Sequence, residues 1–103
     1  MTTFDFGNGL VPAHRHCNGG GWVADTASVA DTAYVGLNAQ VFGNAKVFGN
    51  ASLYGDARVF DNAEVFDNAE VFDNAEVYGD AKVSGDAKVF DNAQVYGDAW
   101  VYV

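Results

Sequence analysis

The chain is short of the residues that most often carry chemistry. It has one cysteine, Cys17, in 103 residues, which excludes an intrachain disulfide framework and fits an intracellular or virion-interior setting. Bases are scarce too: five Lys and Arg stand against fourteen Asp and Glu, for a formal net charge of −9. That balance is poor for gripping a phosphate backbone, so direct nucleic-acid binding is not expected; it suits solubility or the imitation of a polyanion. No apolar run approaches the roughly 20 residues of a membrane-spanning helix, and the opening MTTFDFGNGL has no basic n-region. The expectation is a soluble, cytoplasmic protein without membrane association. Both histidines, His14 and His16, lie before Cys17, and none follows.

What is present is order. Half the residues are apolar and 15% are aromatic, which is a folding composition, and the length suits one domain. From Val23 to Val101 every sixth residue is Val, with Leu53 the single exception, and four residues after each stands Ala, from Ala27 to Ala99. Residues six apart on an α-helix are offset by about 120°, so the period is not helical. Read as strands, each Ala-x-Val-aromatic unit alternates inward and outward. The two residues after it, Gly-Asn, Gly-Asp or Asp-Asn, suit a turn that needs positive φ.

Tandem V-x-x-x-A-x over residues 23 to 103 resembles the hexapeptide-repeat family of left-handed parallel β-helices. The resemblance implies an all-β, single-stranded, triangular solenoid in which three hexads make a coil and residue i stacks on i+18. Eighteen residues per coil give about 4.5 coils after an irregular N-terminal cap over residues 1 to 22. The stretch VFDNAEVFDNAEVFDNAE, residues 59 to 76, then places Glu64, Glu70 and Glu76 on three different faces. Their stacking neighbours include Lys46 and Lys82 for Glu64, Lys88 for Glu70 and Arg58 for Glu76. Such exposed pairs contribute about 0.2 to 1 kcal/mol each and serve mainly to set register. The corner acids Asp61, Asp67, Asp73 and Asp80 have less relief, and a strong negative potential is expected toward the C-terminal coils.

The same stacking orders the aromatics that follow each inward Val. They form three outward ladders: Phe42, Phe60, Tyr78 and Tyr96; Phe48 and Phe66, with Tyr102 beyond Ser84; and Tyr54, Phe72 and Phe90. Stacking within the chain contributes about 0.5 to 1.5 kcal/mol per pair. Contiguous exposed rings also mark association surfaces, and the family is commonly trimeric, so a homo-oligomer, with a trimer favoured, is expected.

Residues 1 to 22 break the period and carry the only Pro, Cys and His residues. Phe4, Phe6, Leu10 and Val11 are expected to fold over the open end of the first coil, because an uncapped end exposes strand edges and core. His14, His16 and Cys17 are the only cluster with metal-ligating chemistry, but adjacent ligands at this spacing do not specify a tetrahedral site, and no metal or other cofactor is expected. Arg15 is left for a partner's carboxylate or phosphate.

Many proteins of this repeat transfer acyl groups from coenzyme A with a catalytic His and loops projecting from the coils. The chain has neither a His after His16 nor an inserted loop, and two His fall short of the three that γ-class carbonic anhydrases need. Catalysis is therefore not expected, and fold likeness does not restore it. Two readings stand beside a degenerate acyltransferase-like ligand binder. One is a structural or protein-interaction module, like the small hexapeptide-repeat proteins of phage and prophage genomes, acting in the host cytoplasm if phage-encoded. The other is an acidic DNA mimic that inhibits a host nucleic-acid-binding or defence protein.

Overall fold

The computed structural model of the chain describes residues 2–103. Among them are sixteen strands and no helix. A hairpin of β1 (Thr3–Asp5) and β2 (Leu10–Arg15) leads to β3 (Trp22–Ala24), and two- or three-residue strands then recur with the hexad. These are β4 (Ser28–Val29), β5 (Tyr34–Val35), β6 (Gln40–Val41), β7 (Lys46–Val47), β8 (Ser52–Leu53) and β9 (Arg58–Val59). After them come β10 (Glu64–Val65), β11 (Glu70–Val71), β12 (Glu76–Val77), β13 (Lys82–Ser84), β14 (Lys88–Val89), β15 (Gln94–Val95) and β16 (Trp100–Tyr102).

Every third strand joins the same sheet, so the chain winds as a three-faced β-solenoid of about four turns. The first face runs β3-β6-β9-β12-β15, the second β4-β7-β10-β13-β16 and the third β5-β8-β11-β14. All neighbours within these runs are parallel and stack at a spacing of eighteen, as in Glu64 opposite Lys46 and Lys82. The Val and Ala columns fill the interior, and from Ala33 to Val83 each of them is at most 1% exposed. Burying one such Val contributes roughly 1.5 to 3 kcal/mol, so the repeat is itself the core.

The strands are shorter than the four-residue unit suggests. In most hexads the N–H of the Ala donates back to the carbonyl of the residue three before it, as Ala69 does to Phe66 at 3.3 Å, and this draws both residues into the turn. Apart from β3, β13 and β16, which are one residue longer, only the x-Val pair remains extended. From Gly43 onward the first residue inside each turn is left-handed, with φ of 59 to 61° at Asp61, Asp67, Asp73 and Asp91 and Gly at the other equivalents.

The N-terminal segment does not fold over the end of the first coil as a plug. β2 pairs antiparallel with β3, so the hairpin extends the first face by two strands in its own plane. Leu10, 71% exposed, and Val11 consequently lie at the surface, while Ala13 and Phe6 are buried. Residues 16 to 21 instead cover the edge of the third face, where the Gly21 N–H donates to Val35 O and the Val35 N–H to Asn18 O. The glycines permit this approach, since a Cβ on Gly19 would stand 2.2 Å from Val35 O.

Candidate interaction surface

The aromatic ladders form as coil stacking requires. On the first face Phe42, Phe60, Tyr78 and Tyr96 stack with centroid separations of 4.8, 4.9 and 5.5 Å. The hairpin prolongs this ladder, with Phe6 at 4.9 Å from Phe42 and Phe4 stacked on Trp22 at 4.8 Å. On the third face Tyr54, Phe72 and Phe90 stack at 4.9 and 5.4 Å. Offset stacking of this kind fixes the rotamers of rings that would otherwise be mobile at the surface.

The second face departs from the expected ladder. Phe48 stacks on Phe66 at 4.9 Å, but the next position, Ser84, is buried rather than an open gap. The indole of Trp100 covers it and donates Nε1–H to Ser84 Oγ at 2.9 Å, with Tyr102 at 5.4 Å beside the indole. Trp100 stands before an inward Val rather than after one, so the aromatic periodicity passes over it. A small residue at one ladder position, with a large ring on the adjoining coil, is the only trace of it in the sequence.

The stacking consumes ring faces and leaves edges. Phe48, Tyr54, Phe90 and Tyr96 remain 39, 36, 47 and 58% exposed. On the third face Tyr34 adds a further exposed ring in the neighbouring column, opposite Ser52. Tyr54 also donates its hydroxyl to Glu70 Oε1 at 2.8 Å. Desolvation of the phenol, that hydrogen bond, and the charges of Glu70 and Asp73 raise its pKa above the ordinary tyrosine value.

The outward charges follow the expected register with fewer closed contacts. Glu70 lies opposite Lys88 and Ser52, and Glu76 opposite Arg58 and Gln94. Among the described residues the only Lys or Arg contact with a carboxylate within ion-pair distance is Arg58 to Glu76, at 3.8 Å. Long exposed side chains lose entropy when fixed, and at this exposure the Coulomb gain does not compel it.

Asp61, Asp67 and Asp73 are exposed corner residues, but their carboxylates also reach along the rod. Each accepts a backbone N–H one coil further on, from Gly79, Gly85 and Asp91 respectively, at 3.2 Å. Asp80 accepts Asn62 Nδ2–H at 3.4 Å. Glycines above and below in the first two of these columns keep like charges from stacking directly, whereas Asp73 and Asp91 are neighbours in the third.

The three metal-ligating candidates of the N-terminal segment are drawn to separate partners. His14 Nδ1 meets Asp25 Oδ1 at 2.7 Å, the buried His16 donates Nε2–H to Ala33 O at 2.8 Å, and Cys17 Sγ lies 3.6 Å from Asp31 Oδ1. Among the described residues no three His, Cys, Asp or Glu side chains are grouped to hold an ion. Arg15 is not left free for a partner: Nη1 donates to Gly20 O at 2.9 Å and the guanidinium covers the Trp22 ring. No helix is long and apolar enough to cross a membrane.

Comparison with protein-family models, curated proteins and solved structures finds no match for the chain. The functional reading therefore rests on the surface itself.

Proposed function

We propose that the chain is a non-catalytic β-solenoid that serves as a protein-interaction and assembly module, self-associating through its aromatic faces. The observation that carries this reading is the ladder of stacked, partly exposed rings on the third face, Tyr54, Phe72 and Phe90, with Tyr34 exposed in the neighbouring column. Preordered rings lose little side-chain entropy on contact, and aromatic residues are enriched in the centres of interfaces. The hexad pattern and the three-faced winding support placing the chain beside the hexapeptide-repeat β-helices, where a trimer is the favoured assembly. In this reading the protein works in the cytoplasm, that of the host if it is phage-encoded.

Light scattering at low and high salt tests the proposal. A salt-insensitive trimer is expected, and Tyr96→Ser, Phe48→Ser and Phe90→Ser each remove one exposed ladder ring from one face. Phe90→Ser is expected to return the mass to that of a monomer. A wild-type monomer at every concentration, or a trimer indifferent to all three substitutions, overturns aromatic-face assembly.

An acidic rod that displaces nucleic acid from a basic protein is the second reading. The exposed Asp56, Asp73 and Asp91, gathered around one recess of about 550 Å³, support it. Replacing Asp61, Asp67, Asp73 and Asp80 by Asn preserves hydrogen-bonding capacity and should abolish binding to a basic partner; unchanged binding would discard this reading.

A further inference from the structure

Where the cap hairpin meets the rod there is a groove of about 670 Å³, within the size range of small-molecule sites. The hairpin contributes Phe6, Val11 and Pro12 to its lining, and the first aromatic ladder contributes Phe42 and Phe60. Both faces of Phe42 are covered, by Phe6 at 4.9 Å and Phe60 at 4.8 Å, and both faces of Phe60 by Phe42 and by Tyr78 at 4.9 Å. These two rings therefore offer the groove their edges. Ring edges carry partial positive charge and favour the π face of an incoming aromatic over its rim.

Two carboxylates and one guanidinium line the groove, so its net charge is negative. Asp25 and Asp61 line it and are exposed. Asp25 meets His14 through Oδ1, and Asp61 takes the Gly79 N–H on Oδ2, so each keeps a second oxygen for a guest. The one guanidinium in the lining, Arg58, is already engaged: Nη2 donates to Phe6 O at 2.8 Å and Nη1 lies 3.8 Å from Glu76.

From these observations we infer that the groove binds a flat aromatic amine, its ring face against the edges of Phe42 and Phe60 and its ammonium at one of the two carboxylates that flank them two coils apart, Asp25 or Asp61. Neutral aromatics gain only the apolar contacts, and anions meet repulsion. The groove lies on the first face and takes nothing from the third-face ladder, so the site does not depend on association through that face.

Three probes with one indole body separate the contributions: tryptamine, 3-methylindole and indole-3-acetate, titrated into the full chain at low salt and read by backbone amide shifts. Tryptamine is expected to move the amides of Gly7, Gly9 and Gly43 saturably, 3-methylindole more weakly and indole-3-acetate not at all. The double variant Asp25→Asn, Asp61→Asn keeps the shape of the groove. It should weaken tryptamine roughly threefold, the size expected for one solvent-exposed ion pair, and leave 3-methylindole unchanged. Val11→Trp fills the groove from an exposed strand position and should abolish all the shifts. The inference is overturned by equal shifts from the three probes, by a preference for the anion, by the absence of saturation, by tryptamine affinity unchanged in the Asn variant, or by shifts that survive Val11→Trp.

Discussion

The carboxylate of Asp67 accepts the backbone N–H of Gly85, 3.2 Å away and one full coil further along the chain. Asp67 has φ of 61° and Gly85 of 65°, so two left-handed turn residues are tied by a bond parallel to the rod. The acidic corners are thus part of what stacks the coils. Aspartate serves there because it tolerates the left-handed region and has an acceptor of the right reach. The glycine above it is equally constrained, since a Cβ on Gly85 would stand 2.3 Å from Val103 O.

Asp67→Asn should therefore fold with nearly unchanged stability. Asp67→Val should lose about 2 to 3 kcal/mol, from the left-handed cost of a β-branched residue and the lost hydrogen bond. Urea unfolding of both variants decides the matter. A Val variant as stable as the Asn variant would mean that the corner does not need its left-handed residue.

Val65 stacks between Val47 and Val83 and is fully buried. Val65→Asp places a charge there with no partner, at a cost of about 3 kcal/mol or more, and should remove the cooperative β signal in far-ultraviolet circular dichroism. Retention of that signal would contradict the inward direction of the Val column.

The phenol of Tyr54 should ionise above the range of an ordinary tyrosine, first through desolvation and then through its bond to Glu70 and the nearby negative charges. Because the folded-state pKa is raised, the associated stability is complete below the unfolded tyrosine pKa of about 10 and is lost as pH climbs through the folded value. Tyr54→Phe should remove the late-titrating phenolate from the ultraviolet absorbance and flatten this part of the alkaline stability profile. A wild-type titration with no late component would refute the assignment.

Much of the fold is legible in the hexad because one translation generates every neighbour. Once residue i stacks on i+18, the partners of Glu64, Glu70 and Glu76 and the three aromatic ladders follow. Periodicity says nothing about interactions that break it. The covering of Ser84 by Trp100, the antiparallel hairpin beside β3 and the bond from Arg58 to Phe6 depend on geometry between unlike segments. The reach of the Asp67 carboxylate to Gly85 was also hidden, because the repeat shows which turn residues stack and not where their side-chain oxygens point.

Ser84→Phe should convert the second face to the unbroken ladder that the repeat otherwise favours. The new ring takes the place beside Phe66 that the Trp100 indole covers at Ser84, and the indole loses its 2.9 Å bond to the Ser84 hydroxyl. Added stacking of about 0.5 to 1.5 kcal/mol per pair offsets that loss, so stability should change by less than about 1 kcal/mol. With Trp22→Phe as background, the emission of Trp100 should move to longer wavelength as it becomes solvated. Unshifted emission would mean that the indole holds its place without Ser84.

Arg58 joins the hairpin to the rod across a separation of 52 residues, donating Nη2–H to Phe6 O at 2.8 Å while its guanidinium lies 5.3 Å from the Phe42 ring centroid and 5.8 Å from that of Phe60. Its Nε is buried without a partner, a cost accepted to place the planar fork between rings and carbonyl. Arg58→Ala should free the hairpin before the rod: amides of β1 and β2 should exchange about tenfold faster, the equivalent of roughly 1.4 kcal/mol, while Val65 and Val71 stay protected. Arg58→Lys keeps a charge near Glu76 without the fork and should show the same pattern to a smaller degree. If neither variant changes hairpin exchange, the stacks of Phe6 on Phe42 and Phe4 on Trp22 hold the cap by themselves, and Arg58 serves only the register of Glu76.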